Sequence, residues 1–135
     1  MAKFVATDYN ITVGGDDFST SLASVTLDVN AEEQETTSFG DSWRERIGGL
    51  KDGSVSLDFH QDFGASSVDA TLWPLLGTTV EIVIKPTSDA TSATNPTYTF
   101  SALVTEYQPF ASSVGDLATL SVSWPVTGAV VRAES

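Results

Sequence analysis

The sequence has no cysteine, a single histidine, and six Lys and Arg against 18 Asp and Glu, a formal net charge of −12 over 135 residues. Without cysteine, a disulfide framework, a thiolate zinc site and a cysteine nucleophile are excluded together. One histidine leaves little room for a histidine metal cluster. The scarcity of cations argues against a conventional nucleic-acid binder, which gains affinity by neutralising phosphates with Lys and Arg. No apolar run approaches the ~18 residues of a membrane span, and no basic start leads into an apolar stretch like that of a secretory signal. The expectation is no membrane insertion and assembly in a cytosol. The length bounds one domain over 1–135, and at 41% hydrophobic the chain has enough apolar surface to fold without staples.

What is abundant is hydroxyl and carboxylate. Ser and Thr supply 17 residues each, a level that favours strands and loops over helix. Residues 1–69 hold 13 acids and 4 bases, and 70–135 hold 5 and 2, so the acidity is concentrated in the first half. Read blandly, it is a solubilising surface.

Alternation with a period of two recurs. Val25, Leu27 and Val29 alternate with Ser24, Thr26 and Asp28; Val55, Leu57 and Phe59 with Ser54, Ser56, Asp58 and His60. Val80, Ile82 and Ile84 alternate with Thr79, Glu81 and Lys85; Leu120, Val122 and Trp124 with Thr119, Ser121 and Ser123. Each pattern predicts a half-buried strand. Thr97 to Tyr107 is apolar on both faces at its middle and predicts a strand covered on both sides; Tyr9–Val13 and Ala129–Arg132 are weaker strands. From Ser66 to Leu76 the apolar residues Val68, Leu72, Leu75 and Leu76 fall at helical spacing, with Ser66 as N-cap, Asp69 completing an acidic capping box and Gly77 as a left-handed stop. Pro74 cannot donate within that helix, which therefore ends early or kinks. Gly14 to Asp17, Asp52-Gly53, Ser88 to Pro96 and Ser112 to Asp116 read as turns.

The connection of about 30–52 exceeds the length that compact domains usually carry without a function. It is either a pair of strand extensions forming a projecting arm or a segment that orders against a partner. Phe39, Trp43 and Ile47 on it have no place in their own core, which favours contact with another chain. Glu32, Glu33 and Glu35 lie about ten residues from Arg44, Arg46 and Lys51, and pair either locally within one hairpin or between subunits.

Candidate chemistry is sparse. His60 shares a strand face with Ser54, Ser56 and Asp58, but alternate residues on an extended strand lie about 7 Å apart, too far for a triad hydrogen-bonded in sequence. No nucleophile elbow, phosphate loop or zinc motif occurs. Asp16-Asp17 beside Gly14-Gly15 has the oxygen ligands that calcium prefers but lacks EF-hand spacing, and reads as a turn. Asp58, Asp62 and Asp69 are the carboxylates from which a glycosidase pair would be drawn. The polar faces Ser24/Thr26/Asp28, Ser54/Ser56/Asp58/His60 and Thr119/Ser121/Ser123 contain no Lys or Arg, although exposed sheets commonly protect themselves with lysine. A channel lined by such faces lets DNA pass without holding it.

The stretch Thr36 to Phe59, with Ser38-Phe39-Gly40-Asp41-Ser42-Trp43-Arg44-Glu45-Arg46-Ile47-Gly48-Gly49-Leu50-Lys51-Asp52-Gly53 at its centre, resembles the middle of major tail tube proteins of long-tailed, non-contractile bacteriophages. Gln61-Asp62-Phe63, Val68-Asp69-Ala70-Thr71-Leu72-Trp73-Pro74-Leu75-Leu76-Gly77, Asn95-Pro96, Val104-Thr105-Glu106-Tyr107 and Val114-Gly115-Asp116 extend the resemblance over most of the chain. The order and spacing of these words carry it. It implies a mainly β fold, a small antiparallel β-sandwich or partial barrel with one short flanking helix (about 66–76) and a projecting loop or hairpin arm. It also implies homohexameric rings stacked into a hollow virion tail tube, no cofactor and no enzymatic activity. The implied partners are further copies of the chain, tape measure, tail terminator and distal tail proteins, and double-stranded DNA in transit.

Two surfaces are expected on this reading. Thr26, Asp28, Ser56, Asp58, Ser121 and Ser123 face the bore. Glu32, Glu33, Glu35, Phe39, Trp43, Arg44, Arg46, Ile47 and Lys51 form the subunit or ring interface. The alternative is a monomeric β-sandwich that recognises carbohydrate or a capsid surface as a binding or decoration module. Its aromatic platform would be drawn from Trp43, Trp73, Trp124, Tyr98 and Tyr107, although Trp73 and Trp124 suit core positions better.

Overall fold

The computed structural model describes residues 5–65 and 67–134. Its strands are β1 (Asn10–Val13), β2 (Asp16–Asp17), β3 (Leu22–Glu35), β4 (Arg46–His60), β5 (Thr79–Lys85), β6 (Thr97–Leu103) and β7 (Thr119–Ala133). They form one antiparallel sheet in the order β2-β1-β5-β6-β7-β4-β3, with a short helix, α1 (Val68–Leu72), running into a 3-10 turn at Trp73–Leu75. The mainly β fold with one short helix is the one the resemblance implies.

β7 turns this single sheet into two packed leaves. Its first half, Thr119 to Pro125, pairs with β4, and its second half, Val126 to Ala133, pairs with β6. The handover falls at Pro125, which has no N–H to contribute to a ladder. The inward residues of both leaves make one core: Val55, Leu57 and Phe59; Leu120, Val122 and Trp124; Ile11 and Val13; Val80 and Ile82; Phe100 and Ala102; and Val68 and Leu72 from α1. Phe18 meets Phe59 edge-on at 5.8 Å between centroids, a favourable aromatic geometry. Gly14 and Gly15 join β1 to β2 with φ of +60° and +92°, the left-handed pair required by a two-residue hairpin matched to strand twist.

Several expectations change here. Asp52-Gly53 is not a turn, because both residues lie inside β4 and pair with Asn30 and Val29. The weak strand at Ala129–Arg132 is the end of one continuous β7. β6 stops at Leu103 instead of Tyr107, because Val104 leaves the ladder to exchange backbone hydrogen bonds with Thr78 and Gly77. The proposed cap Ser66 lies outside the described residues. Ser67 takes the N-cap position without a side-chain cap hydrogen bond, and the Asp69 carboxylate accepts from the Tyr107 hydroxyl instead of closing a capping box. Pro74 shortens α1 by converting its last turn to 3-10 form, and Gly77 follows with φ +85°. Trp73 is 62% exposed, not core, because it is one helical step beyond the buried Leu72 and points outward.

Candidate lumen wall and subunit interfaces

The hydroxyl and carboxylate faces of three strands are brought into one surface by register. Ser24, Asp58 and Ser121 form one cross-strand row, and Thr26, Ser56 and Ser123 the next. Asp28 and Ser54 continue it, with Pro125 at the β7 position. Thus Thr26, Asp28, Ser56, Asp58, Ser121 and Ser123 share a single outward face, opposite the buried Val55, Leu57 and Phe59. Asn30 and Asp52 carry the face toward the arm. It has no Lys or Arg between His60 and Asp52 on β4, between Ser24 and Asn30 on β3, or between Thr119 and Pro125 on β7.

Asp58 is the organising group of that face. Ser121 Oγ donates to its Oδ1 at 2.5 Å and Ser24 Oγ to its Oδ2 at 2.6 Å, so both carboxylate oxygens are held across the strands. These two bonds, that from Ser121 first, keep the Asp58 carboxyl below the usual range by favouring its charged form. A depressed folded pKa means that the stabilisation is present above the unfolded value near 3.8 and is lost as pH falls through the lower folded value. Asp58→Asn is expected to lower the stability modestly at neutral pH and to unfold at the same point as the parent once the pH is below both values. Thermal melts of the two proteins from pH 7 to pH 2 check this, and Asp17, held down similarly by Ser19, contributes acid sensitivity to both.

The same bonds remove the triad reading, since Asp58 engages Ser24 and Ser121 on neighbouring strands, not His60. His60 donates its backbone N–H to the Ser21 carbonyl, and its buried Nδ1 has no hydrogen-bond partner among the described residues. The remaining carboxylates are engaged separately: Asp62 accepts from Gly64 N–H and Asp69 from Tyr107. Asp17 closes a turn by accepting from Ser19. Among the described residues no group of three or more His, Asp or Glu is placed to hold a metal ion. The five aromatics of the alternative platform do not share a face, because Trp124 is fully buried and Tyr107 half-buried while Trp43 and Trp73 project outward at different ends.

The long connection is an ordered hairpin arm. β3 and β4 remain paired beyond the core, through Asn30↔Asp52 and Ala31↔Lys51 to Gln34↔Ile47 and Glu35↔Arg46. The tip is closed by Thr36 N–H to Glu45 O and Glu45 N–H to Thr37 Oγ1, both 2.8 Å, with Gly40 at φ +95°. Arg46 pairs with Glu33 at 2.8 Å and Arg44 with Glu35 at 3.8 Å, so these four charges pair within the arm. Glu32 and Lys51 make no ion pair among the described residues. Phe39, Trp43 (85% exposed), Ile47 and Leu50 stand in solvent. A two-stranded ribbon has no interior in which to place them.

Two strand edges are left open beside the arm. β4 leaves β7 after Ser54↔Pro125, so the 46–53 part of β4 and the 126–133 part of β7 each have one unpaired side. A cleft lined by Val29, Lys51, Gly53, Val126 and Val130 lies where they part. A Cβ at Gly53 would stand 3.0 Å from the Asp28 carbonyl, so glycine permits the close approach at this fork. By contrast, the first half of β7 is covered: Glu106 accepts from Ser123 N–H through Oε1 and from Trp124 Nε1 through its carbonyl.

Sequence reasoning missed one surface at the opposite end of β4. Phe63 and Phe110 stack there at 5.6 Å between centroids and an interplanar angle of 29°. Their individual exposure has no periodic signal, and their juxtaposition depends on the path of the chain after β6.

Comparison with known proteins gives the fold a context. A chain of a solved structure described as "Virion of native gene transfer agent (GTA) particle" superposes with a TM-score of 0.76 over 96% of this chain and 98% of that one, at 18% identity. A chain of the "Tail of empty GTA particle computed with helical refinement, C6 symmetry" gives 0.69 over 91% and 92%, also at 18% identity. The fold is that of chains in gene transfer agent particles. No protein-family model and no curated protein matches the sequence. The likeness is one of overall fold and spans nearly the full length of this chain.

Proposed function

We propose that this chain is a structural subunit of a virion tail, and specifically the tube subunit whose copies close into six-membered rings that stack around a DNA conduit. The near full-length likeness to a chain of a C6-symmetric tail carries this reading. Three features of the molecule support it. The open edges of β4 and β7 invite strand pairing with a neighbouring copy, and ring closure removes edges that otherwise risk aggregation. The arm presents apolar side chains that its own domain cannot cover. The Asp58-centred wall offers phosphate no cation, so DNA bordering it keeps its counterions and slides without being held. Nothing in this arrangement requires a catalytic group or a cofactor.

Electron microscopy of the concentrated purified protein tests the assembly. Six-fold rings or tubes are the expected result; dispersed monomers that are retained on a glycan column would favour the binding-module reading and sink this one. The wall is tested separately by Asp28→Lys with Asp58→Lys, which reverses two charges per copy. The double variant is expected to form tubes but to conduct DNA poorly, measured as delivered DNA per assembled particle. Undiminished delivery would remove these strands from the bore.

A further inference from the structure

We infer that Glu106 and Ser112 guard a strand edge: in the free protomer their side chains occupy outward backbone groups of β7 between Thr119 and Pro125 and close that edge to pairing with another chain. The inference goes beyond the tube reading and does not need it, since an open strand edge offers any free protomer's neighbours a template for aggregation.

The edge exists because β6 ends early. β6 lies on one side of β7 and β4 on the other. The β6 ladder ends at Ala102↔Val126, and an antiparallel pair continued from there would run Leu103 to Glu106 along Pro125 to Val122. It does not continue, because Val104 is drawn off to bond Thr78 at 2.9 Å and Gly77 at 2.8 Å. From Thr119 to Pro125, β7 therefore has β4 on one side and, among the described residues, no strand on the other.

Side chains take the place of that strand. Backbone groups on one side of a strand recur at every second residue, so positions 119, 121, 123 and 125 address the side that β6 has left. Thr119 N–H donates to Ser112 Oγ at 3.1 Å, and the same hydroxyl donates back to the Thr119 carbonyl at 3.4 Å, which copies the reciprocal exchange of an antiparallel ladder. Ser123 N–H donates to Glu106 Oε1 at 2.8 Å. Pro125 has no N–H to offer, and Ser121 stands between two guarded positions.

The guard is held from behind. The Glu106 carbonyl accepts from Trp124 Nε1 at 3.0 Å. On one side of Glu106, Val104 is fully buried; on the other, Tyr107 Oη donates to Asp69 at 2.7 Å. A charge fixed at a strand edge is one of the devices by which folded proteins prevent edge-to-edge association. This guard stops at Pro125, short of the open 46–53 and 126–133 edges, so it also decides which part of β7 a second strand can join.

The test uses the full chain at a concentration where the parent sediments as a single species, so it is read apart from tube growth. Glu106→Ala with Ser112→Ala removes both acceptors and keeps the Glu106 carbonyl. Amide exchange at Ser123 is expected to speed by about tenfold or more, with larger species in sedimentation that increase with concentration. Glu106→Gln retains an acceptor oxygen and should stay close to the parent. Adding Ser123→Pro to the double variant removes the exposed amide at a position where an edge strand accepts proline, and should restore the single species. Val80→Ala, a core truncation on β5, serves as the destabilised control, with each variant compared at the same interval below its own melting midpoint. Should circular dichroism show the double variant unfolded, Glu106→Ala alone is read in the same way. Fast exchange without association, association that Ser123→Pro does not reverse, equal association by Val80→Ala, or unchanged exchange at Ser123 each overturn the guard.

Discussion

Trp43→Ala is expected to abolish tube growth while leaving the protomer folded and as stable as the parent. The side chain is 85% exposed at the arm tip and contributes nothing to the core, so its removal from the isolated protomer falls within about 0.5 kcal/mol. At an interface the same side chain is of the type that dominates binding: truncating a buried aromatic anchor costs about 2–4 kcal/mol, a roughly 30- to 900-fold weakening per contact. In the proposed ring every copy contributes one arm, so the loss is repeated around it. Circular dichroism and thermal melts unchanged from the parent, together with the absence of tubes by microscopy and sedimentation, are the expected observations. Normal tubes from this variant would remove the arm from the assembly interface. Replacing Glu33 or Glu35 should do far less, because their partners Arg46 and Arg44 are exposed ion pairs of small net value.

Trp124→Ala has the opposite signature, with the protomer itself failing. Trp124 is fully buried at the point where β7 passes from one leaf to the other, and its Nε1 donates to the Glu106 carbonyl at 3.0 Å. Truncation removes a large apolar side chain, leaves a cavity and forfeits the hydrogen bond to the Glu106 carbonyl, a loss of about 3–5 kcal/mol from a total of about 5–15 kcal/mol. At this chain length the melting temperature should fall by roughly 10–20 °C, and near-UV circular dichroism should weaken with it. Trp124→Phe fills most of the space and should lose mainly the hydrogen bond, about 0.5–1.5 kcal/mol. An alanine variant that melts like the parent would show that the leaves are not joined through this residue. Comparing the two tryptophans separates failure to assemble from failure to fold, which a loss of tubes alone would not.

The repeating strand patterns were legible because they are local. Val55, Leu57 and Phe59 announce their burial by alternation with Ser54, Ser56 and Asp58, and no distant residue is needed to decide which face is inward. The same logic placed Thr26, Ser56 and Ser123 on polar faces of their own strands. It failed where a neighbour overrode the local signal. Asp52-Gly53 looks like a turn but is held in β4 by pairing with Asn30 and Val29. Trp73 looks like a core residue by composition, yet the short helix turns it to solvent. Asp69 looks like part of a capping box, but the Tyr107 hydroxyl offers its carboxylate a better partner.

The sequence by itself determined that this is an acidic, cysteine-free, strand-rich chain with polar faces free of cations and an arm whose apolar residues look outward. Those properties follow from composition and from the two-residue period of an extended backbone, which any reader of the chain can count. Only the tertiary structure decided that three polar strand faces become one wall, because register joins Ser121 to Asp58 across 63 residues of sequence. It alone decided which edges stay open at the Pro125 fork and that Phe63 meets Phe110 at the far end from the arm. Contacts between remote segments depend on how the connections return the chain to the sheet, and no local pattern encodes that path.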